Sequence, residues 1–158
     1  MPNNVCQQLN IRHAKLEDAM DVLRWRNDPI VCAMSRQNEP ISEAAHMSWY
    51  SGVLDNSERL LLIGVLNKKK VGAVRFDYVR ESTWEVNIAI APELRGQGLG
   101  RKLLKLALTT FYVDHASESV SAVVRLNNEP SLKLFSALGF KQESHSGEFS
   151  NLVLTVSH

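Results

Sequence analysis

The alternation of apolar and polar positions divides the 158-residue chain into short strands and amphipathic helices. Residues 8–14 (QLNIRHA) alternate as a half-buried strand does, and apolar residues then recur at helical spacing to about Asn27. The Asp28–Pro29 step predicts the end of that helix. Ser42 is a candidate N-cap for a second helix, which contains the sequence SEAAHMSWY.

Three consecutive strands are predicted in the middle of the chain, with the NKKK segment as a hairpin turn between the first two. They lie at 59–66, 71–78 and 83–90. A helix, a strand, a helix and a closing strand follow at about 98–115, 120–125, 128–138 and 149–156. This order predicts a mixed α+β fold, with one sheet and helices on both of its faces.

Length and composition suit one globular domain over residues 1–158. The formal net charge of +1 does not indicate the basic surface of a nucleic-acid-binding protein. The start of the chain, MPNNVCQQLN, lacks the charged and apolar regions of a secretory signal. No apolar run reaches the roughly 18 residues of a membrane span. We therefore expect a cytoplasmic protein without a membrane partner.

The two cysteines, Cys6 and Cys32, leave a disulfide open in principle, but two reduced thiols are the favoured interpretation. There is no CxxC motif, and the five histidines show no metal-ligand spacing. We therefore expect no metal site.

The segment PELRGQGLGRKLL (92–104) places three of the eight glycines just before a helix. A helix N-terminus presents unpaired N–H groups, and glycines let a ligand approach the backbone closely. The segment thus predicts a cradle for phosphate or pyrophosphate, with positive charge from Arg95, Arg101 and Lys102. Neither the P-loop nor the GxGxxG pattern is met, since the spacing is GxGxG after three strands. A glycine-rich helix entry without a ligand is the alternative.

Two signatures together resemble the GNAT superfamily of acetyl-CoA-dependent N-acetyltransferases. RGQGLG is similar to that family's pyrophosphate motif, [QR]xxGx[GA], at Arg95, Gly98 and Gly100. The segment 124–140 (VRLNNEPSLKLFSALGF) resembles the second signature, with Asn128, Ser131 and Gly139-Phe140 at the matching places. The resemblance covers most of the chain and is strongest from 71 to 140.

The resemblance implies acetyl-CoA as co-substrate and a mostly antiparallel sheet that splays in its middle. Backbone N–H groups of 96–101 would hold the pyrophosphate, and the pantetheine would lie between strands 84–90 and 120–124. Asn128 would orient the cofactor near its thioester. The expected cofactor-binding residues are Ile88, Ile90, Arg95, Gly96, Gln97, Gly98, Leu99, Gly100, Arg101, Asn128, Ser131 and Phe135.

The family usually transfers the acetyl group directly to a neutral amine, and often has a tyrosine that protonates the leaving sulfur. Phe135 stands in that place and cannot donate a proton, so water or Ser131 is expected to replace it. Glu85 is the first candidate for the base, acting through water, with Asp77 and Tyr78 as second choices. The expected catalytic residues are Glu85, Ser131 and Asn128. Ser131 as a helix-start residue and Glu85 as an exposed strand residue are the structural alternatives.

The first two helices are expected to form the acceptor side. Leu16, Met20 and Leu23 form the expected buried stripe of the first helix. Trp25 lies opposite the stripe and needs cover, either from the second helix or from a flat ligand. Asn27 continues the stripe, where it either caps the helix end or points into the cleft. The expected substrate-binding residues are Trp25, Arg26, Asn27, His46, Trp49 and Tyr78, with a structural role equally open for His46.

The pattern WRND followed by ISxxxHxxWY resembles two branches of the family. One is the sugar-nucleotide acetyltransferases of the pseudaminic-acid type, which acetylate the 4-amino group of a UDP-linked sugar. The other is the ribosomal-protein N-terminal alanine acetyltransferases. The HxxWY element favours the sugar branch, so the expected partner is a nucleotide-linked amino sugar. A non-catalytic CoA-binding module is the alternative of another class. The closing strand is a candidate for pairing across a homodimer.

Overall fold

The computed structural model describes residues 8–36 and 39–155, which form one seven-stranded sheet with helices on both faces. The strands are β1 (Leu9–His13), β2 (Arg59–Leu66), β3 (Lys69–Arg80), β4 (Thr83–Ile90), β5 (Ser119–Arg125), β6 (Lys141–Ser146) and β7 (Phe149–Leu154). The helices are α1 (Ala19–Arg26), α2 (Pro29–Met34), α3 (Glu43–Leu54), α4 (Leu99–Asp114) and α5 (Glu129–Ala137). Short 3-10 turns at Leu16–Asp18 and Pro92–Leu94 precede α1 and the glycine segment.

The sheet is antiparallel except at its centre. The strand order is β1-β2-β3-β4-β5-β7-β6, and only β4 and β5 run parallel. These two strands pair over three residues, Thr83–Glu85 against Ser119–Ser121, and then separate. The expectation of a mostly antiparallel sheet that splays in its middle is confirmed.

Because side chains alternate across a strand, each face of the central strands has its own core. On the face covered by α4, the rings of Phe76 and Phe111 stack with 4.5 Å between their centroids. On the face covered by α1 and α3, Trp25, Tyr50 and Ile63 are fully buried. The helices therefore cover both faces, as the order of the predicted elements indicated.

The buried stripe expected on the first helix was wrong at two of its three residues. Leu16 is 59% exposed and Met20 is 51% exposed, whereas Leu23 is buried as expected, together with Ala19, Val22 and Trp25. Leu16 lies in a 3-10 turn, which has three residues per turn. A helical wheel that starts at Leu16 and assumes α-helical spacing therefore misplaces the buried face of α1.

Two elements had no sequence-based prediction. The Asp28–Pro29 step ends α1 as expected, but Asp28 also caps α2 by accepting the N–H groups of Ile30 and Val31. The six residues of β6 (KQESHS) are all exposed and show no apolar alternation. Pairing with β7, rather than any local hydrophobic pattern, makes this segment a strand.

The closing strand is not available for pairing across a dimer. β7 lies between β5 and β6 and is hydrogen-bonded to both. The edges of the sheet are β1 and β6. The expected dimer pairing through the closing segment is thus contradicted by the strand order.

Asp18 is a fully buried carboxylate that joins β1, β3 and the start of α1. Arg12 donates to both of its oxygens, at 2.8 and 2.9 Å. The backbone N–H of Lys15 donates at 2.8 Å and Lys70 donates at 3.1 Å. Burial alone raises the pKa of Asp18, but these hydrogen bonds outweigh burial and hold the pKa below its usual range.

We expect Asp18→Asn to lower the free energy of unfolding by about 3 kcal/mol at pH 7, because Arg12 and Lys70 lose their buried partner. The folded-state pKa of Asp18 lies below the unfolded one, so its stabilising contribution is complete above roughly pH 4 and is lost in stronger acid. The two proteins should therefore converge in stability as the pH falls. Urea unfolding between pH 2 and 7 measures this.

Glu17→Gln is the matched control, because Glu17 is an exposed neighbour in the same turn. It should change stability by less than about 0.5 kcal/mol. Equal effects of the two substitutions would show that the Asp18 contacts contribute no more than a surface charge.

Candidate active site

A cleft of about 420 Å³ opens where β4 and β5 separate. The second half of β4, the end of β5, the start of α5 and helix α2 surround it. Its lining includes these sequence-predicted residues: Glu85, Ile88, Ile90, Arg95, Asn128, Ser131 and Phe135. The fold thus brings together candidate residues from separate segments of the chain.

The edge of β4 that faces the cleft carries unpaired backbone groups. Ala91 donates its N–H to Val71 at 2.8 Å, and backbone groups alternate in direction along an antiparallel strand. The N–H and C=O groups of Ile88 and Ile90 therefore point away from β3, toward the side where β5 has separated. An extended ligand can pair with them as an added strand would.

The loop before α4 is a turn in which glycine is required. Gly96 and Gly98 have φ angles of +78° and +75°, a region that other residues rarely adopt. A Cβ atom at either position would meet nothing within 4 Å, so the space beside the loop is open. Gly98 is the N-cap of α4 and has no side chain to bond the first N–H groups of the helix. These groups and the helix dipole form a site for an anion.

The remaining residues of the loop differ in exposure. Gln97 and Arg101 are exposed, whereas Leu99 is buried beneath the helix. A Cβ at Gly100 would lie 3.7 Å from Leu134 of α5, an ordinary contact. The loop therefore offers a ligand its backbone N–H groups and the side chains of Gln97 and Arg101, while Leu99 belongs to the core.

Arg95 is held beside the cleft by α2. Its guanidinium pairs with the carboxylate of Asp28, which also accepts the N–H groups of Ile30 at 3.1 Å and Val31 at 3.3 Å. Burial alone raises the pKa of Asp28, but the bonds from Arg95 and the backbone hold it below its ordinary value. Asp28 therefore starts α2 and also positions the arginine of the glycine loop.

The start of α5 forms another wall of the cleft. Asn128 accepts the N–H of Ser131 at 3.3 Å through Oδ1, so it caps the helix and keeps its amide N–H₂ for another partner. Phe135 is buried one turn further on, and its ring meets that of Phe140 edge-on at 5.0 Å. Phe135 thus gives the cleft carbon surface, and Ser131 is the hydroxyl that α5 places in the lining.

Two candidate bases lie side by side on one face of the sheet. Glu85 and Asp77 are directly opposite in the pairing of β4 with β3, so their side chains share a face. Glu85 lines the cleft and accepts a hydrogen bond from Arg36 at 2.7 Å. Asp77 accepts one from Arg75 at 2.8 Å. Each carboxylate therefore has an arginine partner.

Tyr78 does not line the cleft. It follows Asp77 in the strand and so points to the other face, where its ring meets Trp84 edge-on at 5.5 Å. The expected contact between Tyr78 and substrate, and its role as a reserve base, do not fit this position.

A smaller cavity of about 20 Å³ lies next to the cleft and shares Asn87 and Ala89 with it. Three predicted acceptor-side residues line it: Trp25, Arg26 and Trp49. The guanidinium of Arg26 lies 4.2 Å from the ring centroid of Trp49. Trp25 is fully buried in the core that α1 shares with α3, so α3, rather than a flat ligand, covers it.

His46 is fully buried and holds α3 to α1. Its Nε2 lies 2.7 Å from the carbonyl oxygen of Ala19, and Arg26 lies 3.1 Å from its Nδ1. Since an arginine can only donate, Nδ1 accepts and Nε2–H donates, which makes the ring neutral. Burial lowers the pKa of His46, and the charge of Arg26 lowers it further. This position corrects the expectation of a substrate-facing histidine.

Asn27 also has a structural partner. Its amide donates to the carbonyl oxygen of Ile41 and accepts the N–H of Ile41, each at 2.8 Å. The polar residue at the end of α1 therefore ties the following loop to the helix. It does not point into the cleft, which corrects the second substrate-binding expectation on this side.

Sequence reasoning missed the arginines that meet the two carboxylates. The alternation of VGAVRFDY puts Arg75 and Asp77 on one face, so this pair could have been found. Arg36 reaches Glu85 from a loop 49 positions away, and no local pattern indicates that contact. The α2 residues Ile30, Val31 and Met34 also line the cleft, although α2 itself was not predicted.

Three further expectations concern sites of other kinds. Among residues 8–36 and 39–155, no helix is long and apolar enough to cross a membrane. In the same part of the chain, no group of three His, Cys, Asp or Glu side chains could hold a metal ion. Cys32 is a buried free thiol that contacts the carbonyl oxygen of Arg26 at 3.3 Å, and Cys6 lies outside the described residues.

Comparison with known proteins gives consistent matches. A model of the acetyltransferase (GNAT) domain matches residues 8–141. The uncharacterized protein MJ1062 of Methanocaldococcus jannaschii is 28% identical over 141 residues, and the match covers 87% of this chain and 29% of that protein. The chain thus spans less than a third of that relative. The SPbeta prophage-derived uncharacterized N-acetyltransferase YokL of Bacillus subtilis is 24% identical over 151 residues, covering 94% of this chain and 83% of YokL.

A solved structure shows the same fold. The spermidine N-acetyltransferase of Vibrio cholerae, crystallised with CoA and spermine, superposes with a TM-score of 0.82 at 19% identity. The superposition covers 94% of this chain and 95% of that one.

We expect Gly98→Asp to weaken CoA binding at least tenfold, a loss of about 1.4 kcal/mol. The new carboxylate would lie at the N-terminus of α4, where it repels the pyrophosphate and bonds the helix N–H groups itself. Gly98→Asn is the matched control, because asparagine has a similar shape and tolerates positive φ but carries no charge. Isothermal titration calorimetry with CoA measures both, and thermal melting checks the fold. Equal weakening by the two substitutions would show that capping or bulk, rather than charge, causes the loss, and unchanged CoA binding in Gly98→Asp would contradict an anion site at this helix end.

Proposed function

The chain belongs to the acetyltransferase (GNAT) family, uses acetyl-CoA as its co-substrate and, we propose, acetylates the primary amine of a small molecule by direct transfer. The observation that carries the proposal is the splayed cleft between β4 and β5. It connects the anion site at α4 with a polar face that carries two carboxylates. Acetyl-CoA supplies the activated acyl group, and the residues around the cleft bind it, position the amine and accept a proton.

The chain offers partners for the pyrophosphate, the pantetheine and the thioester of acetyl-CoA. The backbone N–H groups of 96–101 and the dipole of α4 hold the pyrophosphate, with Arg95 beside them. The free edge of β4 at Ile88 and Ile90 pairs with the amides of the pantetheine. The unused amide N–H of Asn128 lies at the α5 end of the cleft, where it orients the thioester.

Glu85 accepts the proton of the attacking amine, through water. It lies where β4 and β5 last pair, so it is at the closed end of the cleft and on the polar face. Its hydrogen bond from Arg36 fixes the orientation of the carboxylate. Asp77 is the second candidate, although it bonds Arg75 and lies behind Glu85, one strand away from the cleft.

Phe135 leaves the departing thiolate without a tyrosine donor. A thiol pKa near 8.5 means that an unprotonated leaving group costs only about 2 kcal/mol at pH 7. Water or the Ser131 hydroxyl can supply that proton from the lining of the cleft. A phenylalanine at this position is therefore compatible with acetyl transfer.

The acceptor that we propose is the 4-amino group of a UDP-linked amino-dideoxy sugar. Two features support it: the WRND and HxxWY patterns, and the arginines that line the smaller cavity, which suit a phosphate-bearing molecule. An N-terminal α-amine of a ribosomal protein is the alternative acceptor. Its pKa near 8 leaves part of it neutral at pH 7, whereas a lysine near 10.4 needs about 4.6 kcal/mol to deprotonate.

An assay of thiol release from acetyl-CoA tests the function. The acceptors are a UDP-linked 4-amino-4,6-dideoxy sugar, an alanine-terminated peptide and spermidine. We expect turnover with the sugar. Turnover with the peptide alone would move the protein to the N-terminal branch, and CoA binding without turnover on any amine would favour a non-catalytic module.

We expect Glu85→Gln to lower kcat/KM by 10²- to 10⁴-fold at pH 7 without changing CoA affinity, because the amide cannot accept the proton. The deficit should shrink at higher pH, where more of the acceptor amine is already neutral. A pH profile of both proteins from 6.5 to 9.5 measures this. Glu81→Gln, in the exposed turn before β4, is the control. An unchanged rate in Glu85→Gln, with Asp77→Asn inactive, would transfer the role of base to Asp77.

A further inference from the structure

The smaller cavity is lined by two arginines that share one aromatic ring. Arg26 of α1 lies 4.2 Å from the ring centroid of Trp49, and Arg75 of β3 lies 5.0 Å from it. Both guanidiniums therefore lie within cation–π range of one ring, beside the cavity that they line.

Only one of these two arginines has a carboxylate partner among the described residues. Arg75 bonds Asp77, which also lies 3.9 Å from Arg59. Arg26 bonds the neutral ring of His46. Burial lowers the pKa of Arg26 to about 10, and the charge of Arg75 contributes. At neutral pH it remains a cation, so the cavity carries uncompensated positive charge.

The other polar groups of the cavity include further donors. Trp25 lines it, is fully buried, and has an indole N–H without a hydrogen-bond partner in the described part of the chain. Asn87 adds an amide from the strand that also lines the main cleft. A buried donor without a partner is costly unless a ligand or water accepts from it. The Nε1–H of Trp25 is itself sealed from solvent, so Arg26 and Asn87 are the donors that an anion in the cavity can reach.

We propose that the cavity lined by Trp25, Arg26, Trp49, Arg75 and Asn87 is an anion-binding subsite for the acceptor. The inference rests on the proposed function and specifies its substrate class: the amine to be acetylated carries a carboxylate or phosphate group. Arg26 binds that group through charge-assisted hydrogen bonds.

The size and place of the cavity fit this role. About 20 Å³ is room for one water-sized group, such as a terminal carboxylate or phosphate oxygen. Asn87 and Ala89 belong to both cavities, so an acceptor anchored here places its remaining atoms in the cleft beside Glu85. A polyamine would bring further positive charge against Arg26 and Arg75 and is disfavoured.

The test compares acceptors of different charge on wild type and on Arg26 variants. The anionic probes are the UDP-linked 4-amino sugar for phosphate and L-glutamate for carboxylate. An alanine peptide with an amidated C-terminus is the probe without an anionic group, and spermidine is the polycationic probe. Arg26→Met removes the charge but keeps an apolar chain on Trp49, and Arg26→Lys restores charge without the planar fork. Arg24→Met is the control, because Arg24 is an exposed arginine of the same helix.

We expect turnover with an anionic probe, and Arg26→Met should raise its KM at least tenfold with little change in kcat. Arg26→Lys should recover part of that loss, and Arg24→Met should behave as wild type. The anionic probe whose KM rises in Arg26→Met identifies the group that Arg26 binds as a phosphate or a carboxylate. Equal or better turnover with spermidine or the amidated peptide would overturn the subsite while leaving the acetyltransferase function intact.

A binding measurement separates this inference from the proposed function. UDP and glutarate are titrated calorimetrically into CoA-saturated protein, so the pyrophosphate site is already filled. Binding of either that disappears in Arg26→Met supports the subsite even where no amine turns over. Absence of binding to the wild type, or binding unchanged in Arg26→Met, overturns it. Thermal melting of each variant confirms that the fold survives.

Discussion

The separation of β4 from β5 is the constraint on which the site depends. Two neighbouring parallel strands normally continue their ladder, and leaving it open exposes backbone groups that must find other partners. Here the ladder stops after Glu85, and the backbone groups of Ile88 and Ile90 on that edge remain free. The fold can leave them free because the cleft is open to water and to a ligand. The same opening allows the start of α5 and the glycine loop to approach from its two ends.

Because side chains alternate along β4, its apolar and polar side chains lie on opposite faces of the sheet. Val86 and Ile88 point toward α4, where Val86 is buried. Glu85 and Asn87 point toward α1 and α3, beside Arg75 and Asp77 of β3. One strand therefore presents backbone to the cofactor, apolar side chains to the core and polar side chains to the acceptor. A shift of one residue in its register would exchange the core face with the polar face.

Much of the cofactor side could be predicted from sequence because its signals are local. Positive φ at Gly96 and Gly98, and a cap at Asn128, follow from residues within a few positions of each other. The acceptor side was harder, because its contacts join distant segments. His46 and Asn27 have the chemistry of binding residues, yet the fold uses both for internal hydrogen bonds. Helical spacing could not reveal this, since it places residues on a face without showing what covers that face.

The positive charge on the acceptor side also bears on the chemistry of the amine. Positive groups near an amine lower its pKa and so favour the neutral form that attacks the thioester. In the proposed complex, one bound anionic group neutralises Arg26, while Arg59 and Arg75 still outnumber Asp77. The acceptor would thus be anchored by one charge and partly deprotonated by the others. A modest base such as Glu85, already paired with Arg36, is then sufficient, because the surroundings of the amine have reduced the free energy needed to remove its proton.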